Sequence, residues 1–419
     1  MTTSGDISTQ EFTINDRTYR PPARPIVVIC IDGCADEYLS ISIAKGRMPN
    51  VARIAGEGYR GLARGALPSF TNVNNSSICT GVTPAVHGIC GNFFLDPDTG
   101  EEVMMNSAKY LRAETILAAA ANAGRKVAMV TAKEKLRDIL SHNLTGIAFS
   151  AEKANEAQMA THGIDDVEEL VGAPTPEIYS GDASLYVLQA GAALVEQGRA
   201  DFLYLSLTDF MQHKFDPWQE ESLEFHAGID REIGRLLDAG AIVAATADHG
   251  MNAKQKTDGS PNVIYLEPLL TEEFDANIKV ILPITDPYVA HHGALGSLAM
   301  VHLPDSVRTD PVISRLMEID GITEVHCRAS AVRKLELAPD RIGDLVVLSG
   351  RDVVLGRSPG HHDLKAVASG LRSHGGRYEE MVPLLVSEPL NDTYRRKASG
   401  DPRNFDVFDF AVNGTGAEA

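Results

Sequence analysis

The chain has 419 residues, 44% hydrophobic and 23% charged, with a formal net charge of -19. This length allows two or three domains, or one large core carrying an insertion. So acidic a balance argues against a nucleic-acid or anionic-membrane surface built on basic patches. No apolar run is long enough to span a bilayer,.

The five cysteines (Cys30, Cys34, Cys79, Cys90 and Cys327) are odd in number and lack CxxC spacing. They read as free, mostly buried thiols of a reducing compartment rather than a disulfide frame. The first residues are polar and acidic, without the basic-then-apolar pattern of a secretion signal, so a cytoplasmic protein is expected. Twofold assemblies are the commonest kind, which makes a homodimer the expected oligomer.

In chain order, Pro25 to Ile31 (PIVVICI) predicts a buried strand that ends at Asp32-Gly33,. Met48-Pro49-Asn50 resembles a helix start with Asn50 near the cap. A short strand is expected over Gly61 to Ala66. The segment LPSFTNVNNSSICTGVTPAVHGICGN follows, rich in turn and cap residues, with a short helix inside. Ala113 to Ala123 is an alanine-rich helix, leading to a strand at Val127 to Val130 and then Lys133-Glu134-Lys135. Ser184 to Gln197 is helical, and Asp201 to Leu207 is a strand that delivers Thr208-Asp209. A helix over Phe225 to Leu237 precedes AIVAATADHG, an apolar run ending at Asp248-His249-Gly250. Strand and helix alternate throughout, which argues for an α/β fold with a doubly wound, mostly parallel sheet flanked by helices.

The rhythm changes after Thr257. VIYLEPLL, IKVILPI, SLAMVHLP, EVHCRA and DLVVLSG read as strands, with one amphipathic helix over Pro311 to Ile319. The expected organisation is a core from 1 to 256, an inserted α+β cap from 257 to 370, and a core return from 371 to 419. Val382 to Val386 is the expected last core strand.

Asp32, Asp209 and Asp248 each stand where a core strand is expected to end, the place where open α/β sheets build their sites. His213 follows Asp209 at i, i+4, a spacing that lets both face one ion. His249 adjoins Asp248, and His374 precedes the last core strand in Ser-His-Gly-Gly. Asp248 alone reads better as a helix N-cap; converging buried carboxylates, however, call for a cation. Hard oxygen and neutral nitrogen donors suit zinc, and two ions with an open position fit this number of ligands.

Thr71 is the candidate nucleophile. It sits near a helix start, where free N–H groups favour an anion, and a metal can lower its hydroxyl pKa. The other reading is an N-cap threonine. Ser69 is the rival, placed before the helix start. Asn92 is a candidate donor to a phosphoryl oxygen, or else a turn asparagine.

Asp32, the LPSFTNVNNSSICTGVTPAVHGICGNFF segment, TDFMQH, TADHG and SHGG, in this order, resemble the alkaline phosphatase superfamily, and most nearly its nucleotide pyrophosphatase/phosphodiesterase branch. The resemblance covers about 25 to 256 and 370 to 412. It implies an alkaline-phosphatase-like core and two zinc ions per subunit. By motif position, Asp209, His213 and His374 would hold one, and Asp32, Thr71, Asp248 and His249 the other. Thr71 would form a covalent intermediate, with Asn92, His213 and the zincs contacting the transferred group.

Within that branch the chain is similar to enzymes that split the carbon–phosphorus bond of a small carboxylated phosphonate. Lys133 and Lys135 supply the cationic partners such a dianion needs, and could stabilise charge on the departing carbon. The bland reading of the lysines is a solvated loop. A nucleotide or other phosphodiesterase of the same fold is the alternative function. A sulfatase is set aside, because Ser69-Phe70-Thr71-Asn72-Val73 lacks its nucleophile pattern. A phosphomutase would share the fold but release little phosphate, and a non-catalytic binder is disfavoured by the full ligand set. His291-His292 and His361-His362 look like metal pairs, yet both fall in or beside the insertion and read as surface or lid residues, one of which could meet substrate when the cap closes. His87 reads as a structural turn residue and His226 as a packing or surface histidine.

Overall fold

The computed structural model describes residues 7–285, 292–368 and 370–416. A seven-stranded sheet is built from β1 (Ile26–Cys30), β2 (Tyr59–Arg64), β3 (Val127–Thr131), β4 (Ile147–Ser150), β5 (Phe202–Ser206), β6 (Ile242–Thr246) and β7 (Met381–Val386). Their order across the sheet is β2-β7-β6-β1-β5-β3-β4. β6, β1, β5, β3 and β4 run parallel, while β7 lies antiparallel between β6 and β2.

Every residue of β1, β3, β5 and β6 is buried. That is what continuous apolar runs do when a parallel sheet is covered on both faces. The helices used below are α1 (Thr71–Thr80), α2 (Glu134–Leu140), α3 (Asp182–Glu196), α4 (Phe210–Lys214), α5 (Glu220–Asp238) and α6 (Val407–Asn413). Val27 and Ile29 of β1 pack with Val187 and Leu188 of α3 and Ile229 and Ile233 of α5. The alternate residues Ile26 and Val28 pack on the other face with Phe202, Tyr204 and Phe408 of α6. The period of two along β1 thus divides its side chains between two helical layers.

A second sheet, of four antiparallel strands, takes Lys279–Ile281, Leu298–His302, Leu345–Ser349 and Ile322–Cys327 in that order. Its apolar face shares a cluster with Leu67, Phe70 and Val73, the residues around the start of α1.

Local differences from the sequence reading have physical causes. VIYLEPLL is a strand only over Val263–Tyr265; Leu266–Phe274 is a helix that buries Leu266 and Leu270. EVHCRA likewise passes from the strand Ile322–Cys327 into the helix Arg328–Lys334. So 257–370 holds more helix than the one amphipathic segment expected. Apolar pairs at i, i+4 in short runs fit either element until packing decides. The helix Pro49–Glu57 starts with Pro49 at its first position, not with Asn50 as cap. Its free N–H groups at Asn50 and Val51 are taken instead by the Asp230 carboxylate from α5.

Candidate active site and metal centre

The carboxyl ends of four neighbouring strands build one site. In sheet order, β6 delivers Asp248 and His249, β1 delivers Asp32, β5 delivers Asp209, and β3 delivers Lys133. This is the edge where open α/β sheets place ligands. Asp32 and Asp248 are fully buried and Asp209 is 3% exposed.

Gly33 makes the turn after Asp32 possible. Its φ is +70°, and a Cβ there would stand 3.0 Å from the Asp209 Cβ. With no side chain in the way, its N–H reaches Asp248 Oδ1 at 3.2 Å. Asp248 also accepts its neighbour's N–H from His249 (3.0 Å) and the Asn75 amide on Oδ2 (3.1 Å). Asp248 does not cap a helix. Both oxygens of Asp32 are buried and have no hydrogen-bond partner.

The three histidines share one arrangement. Nδ1 of His213 donates to the Arg372 carbonyl (2.8 Å), Nδ1 of His249 to the Gly250 carbonyl (2.9 Å), and Nδ1 of His374 to the Ser69 carbonyl (2.7 Å). With Nδ1 spent on a carbonyl, each ring turns its Nε2 inward. His249 Nε2 lies 3.3 Å from Asp32 Oδ1, 3.6 Å from Asp248 Oδ2 and 3.4 Å from the Thr71 hydroxyl. His213 Nε2 lies 2.9 Å from Asp209 Oδ2, and His374 Nε2 is 3.7 Å from the same oxygen. Lone pairs facing carboxylates at these distances repel unless a cation stands between them. Asp209, His249 and His374, and separately Asp32, Asp248 and His249, have ligand atoms close enough to share an ion. The orphaned Asp32 oxygens and this mixed donor set fit zinc.

Electrostatics agree. Burial, with the Asp209 and Asp248 charges behind it, holds the Asp32 carboxyl well above the ordinary range. Burial also raises Asp248 to about 6. His374 is held well below its usual value by burial and by His249 and His213 beside it. A divalent cation would reverse the shift of the two carboxylates and would favour the neutral His374 ring that burial already favours,.

Thr71 is the first residue of α1, after extended Phe70, so it sits inside the helix start and is not the cap. Ser69 is buried and its hydroxyl is spent on the Gly376 carbonyl at 3.0 Å. Asn92 accepts the Asn72 N–H on Oδ1 (3.2 Å), which leaves its NH2 group for a ligand. Thr71, Asn92, Lys133, Lys135, Asp209 and His374 line one cleft. Lys133 Nζ is 3.4 Å from Asp209 Oδ1. Glu134, between the lysines, turns away to bond Arg137 and the Ser150 hydroxyl.

Two features differ from the sequence reading or escaped it. His292 is no surface residue: it is 5% exposed, lines the same cleft, and its ring centroid is 5.4 Å from that of His213. It accepts the Ala294 N–H on Nδ1, which puts the neutral ring's proton on Nε2. His291 lies outside the described residues. Asn75 was not singled out, although it braces Asp248, the Thr71 carbonyl, Tyr204 and Ser206 together. Its only sequence signal is an unusual run of polar residues in a helix that proves almost wholly buried.

The other described histidines singled out in the sequence are not among the residues that line the cleft. His361 is exposed and bonds Ser358, and His362 bonds Gly293 and Arg357. His87 is buried against Ser77 and burial lowers it to about 3. His226 is buried beside Tyr38 and lowered to about 4.

The family model for type I phosphodiesterase / nucleotide pyrophosphatase matches residues 26–376. Among solved structures, phosphonoacetate hydrolase from Sinorhizobium meliloti 1021, determined with phosphonoacetate and with phosphonoformate, is 46% identical with a TM-score of 0.91. The alignment covers 97% of this chain and 100% of that one. Human ectonucleotide pyrophosphatase / phosphodiesterase 5 shares the fold at 15% identity and a TM-score of 0.62, covering 94% of this chain and 97% of that one. Strand-end carboxylates, inward-facing imidazoles and these matches converge: the chain belongs to the type I phosphodiesterase / nucleotide pyrophosphatase family, with the alkaline-phosphatase-like α/β fold.

Proposed function

We propose that this protein is a metal-dependent hydrolase that cleaves the carbon–phosphorus bond of phosphonoacetate, giving acetate and phosphate. The observation that carries the metal chemistry is the shared orientation of three imidazoles, each spending Nδ1–H on a backbone carbonyl and turning Nε2 toward strand-end carboxylates. The substrate reading rests on the Sinorhizobium relative solved with phosphonoacetate, together with two lysines in the same cleft.

Asp209, His213 and His374 would hold one zinc, and Asp32, Asp248, His249 and Thr71 the other. When bound, these ions lower the pKa of the Thr71 hydroxyl and neutralise phosphoryl oxygens. Thr71 Oγ attacks phosphorus at the helix start, where free N–H groups face the anion. The Thr71 hydroxyl proton passes to solvent, the carbon–phosphorus bond breaks, its electron pair leaves with the carboxymethyl carbon, and that carbon takes a proton from water to give acetate. Water then releases phosphate from the Thr71 ester. Asn92 orients a phosphoryl oxygen through its amide. Lys133 and Lys135 pair with the substrate carboxylate and stabilise charge spreading onto it as carbon departs.

The 257–370 segment is read as a cap over this cleft, since its Ile284 and His292 line it. A cytoplasmic homodimer completes the proposal; free cysteines and the commonness of twofold assemblies favour it,. No helix among the described residues is long and apolar enough to cross a membrane.

The test is phosphate release from phosphonoacetate by zinc-loaded protein, beside a nitrophenyl phosphodiester and a chelator-treated control. Fast, chelator-sensitive release is expected. Turnover of the diester without phosphonoacetate cleavage would move the reading to a phosphodiesterase on the same site.

A further inference from the structure

Lys254 and Glu379 form an ion pair with both side chains 0% exposed. Neither belongs to the cleft. A buried pair of this kind gains little net stability, because desolvation offsets attraction. What this pair touches points to a different use.

Glu379 reaches both loops that carry inward-facing histidines. Its Oε2 accepts the Gly376 N–H at 3.0 Å, two residues beyond His374. Its backbone carbonyl accepts the Gly250 N–H at 2.8 Å, one residue beyond His249. Its Oε1 accepts from Lys254 Nζ at 2.8 Å and from the Asn252 amide at 2.6 Å. Lys254 in turn donates to the Arg351 carbonyl at 2.6 Å, within the 257–370 segment.

The His374 loop is tight and depends on outside support. Gly375 has φ +124°, and a Cβ there would stand 2.4 Å from Phe70. The Gly376 carbonyl accepts the Ser69 hydroxyl, and the Ser69 carbonyl orients His374. A chain of hydrogen bonds therefore runs from Lys254 through Glu379, Gly376 and Ser69 to the His374 ring.

We propose that Glu379, its buried charge balanced by Lys254, is a positioning residue that fixes the His249 and His374 loops relative to each other. The inference rests on the metal reading above but not on the identity of the substrate. Outer contacts of this type orient ligands, and their loss commonly costs about 10- to 100-fold in metal affinity.

The test compares two neutral double variants that differ in one acceptor. In K254M/E379Q the amide oxygen can still accept from Gly376; in K254M/E379L nothing can. Zinc affinity is measured by chelator competition on variants whose metal-free circular dichroism matches the parent. K254M/E379Q is expected to bind zinc within about threefold of the parent, and K254M/E379L at least about tenfold more weakly. Equal affinities for the two would overturn the proposal. Asn252→Ala, at a half-buried site, decides the matter should E379L fail to fold. It removes one donor to the same carboxylate, and a two- to fivefold weaker affinity is expected. An affinity equal to the parent's would overturn the proposal just as well. Because zinc binding needs no substrate, inactivity toward phosphonoacetate leaves this test intact.

Discussion

The imidazoles of His249 and His374 stack face to face, with centroids 3.5 Å apart and planes within 7°. One ring follows β6 and the other lies beyond the 257–370 segment, and His249 has ligand atoms within reach of both carboxylate groups. His249 faces Asp32 and Asp248, and His374 faces Asp209. The stack therefore holds the Asp209 side and the Asp32–Asp248 side of the site against each other. His374→Ala removes a ligand and the stacking partner together. Metal analysis should show bound zinc falling from about two per chain toward one, with activity down by roughly 100-fold. Full zinc content in that variant would sink the assignment.

Thr71→Ala should separate binding from chemistry. The carboxylates and imidazoles stay in place, so zinc content should hold. Phosphate release should fall by roughly a thousandfold or more, as expected when a nucleophile is lost. Thr71→Ser, which keeps a hydroxyl, should retain measurable turnover. A loss of only a few-fold in the alanine variant would place the nucleophile elsewhere.

Much of this site was legible because its residues stand at strand ends. Five apolar residues before Asp-His-Gly mark a buried strand and its exit, and the period of the chain needs no tertiary knowledge. Asn75 was illegible for the opposite reason: a polar residue in a polar helix becomes informative only once the whole helix is seen to be buried. His292 reads first as a surface or lid residue because its neighbours belong to the 257–370 segment, and local composition does not tell a lid surface from a cleft wall. Within VIYLEPLL, the part from Leu266 to Leu270 reads as strand but begins the helix Leu266–Phe274, because its apolar residues suit both periods until packing selects one,. The Lys254–Glu379 pair joins residues 125 apart, a distance no local pattern spans.

The lysines should act on substrate recognition. Lys133→Met and Lys135→Met each remove a charge-assisted contact worth about 1.5–3 kcal/mol, which is roughly 10- to 100-fold in kcat/KM for phosphonoacetate. The loss should be much smaller on a nitrophenyl phosphodiester, which lacks the carboxylate. Equal losses on both substrates would show that the lysines act on the phosphoryl group.

Zinc binding should strengthen with pH. Burial lifts Asp248 to about 6 and Asp32 well above the usual range, whereas the unfolded chain ionises both near pH 4. Between these values the metal-free folded state holds protons that the unfolded chain has released. The stability contributed by Asp248 is fully present below about pH 4 and is lost as pH rises through about 6, and that of Asp32 is lost in the same direction as pH rises through its own raised value,. Zinc displaces the same protons. The rise in melting temperature on adding zinc should therefore be larger near pH 7.5 than near pH 5. A pH-independent rise would mean that these carboxylates do not receive the ion.

Asn75 offers the sharpest stability test. Its Oδ1 accepts the Tyr204 hydroxyl at 2.6 Å and the Ser206 hydroxyl at 2.7 Å, and its amide donates to the Thr71 carbonyl and Asp248. It joins α1 to β5 and to the loop after β6, at a site that is fully buried. Asn75→Ala leaves two hydroxyls and a carboxylate oxygen short of a partner and opens a small void. Each buried orphan costs about 1–3 kcal/mol, and the hydroxyls can turn to find other acceptors. A net loss of roughly 2–4 kcal/mol in urea unfolding is expected. Asn75→Asp keeps the acceptor but sets a second carboxylate against Asp248 in a dry site. It should therefore be the worse of the two in metal-free protein, and zinc should recover part of its deficit. If the alanine variant proved the less stable in metal-free protein, shape and not charge would govern this position.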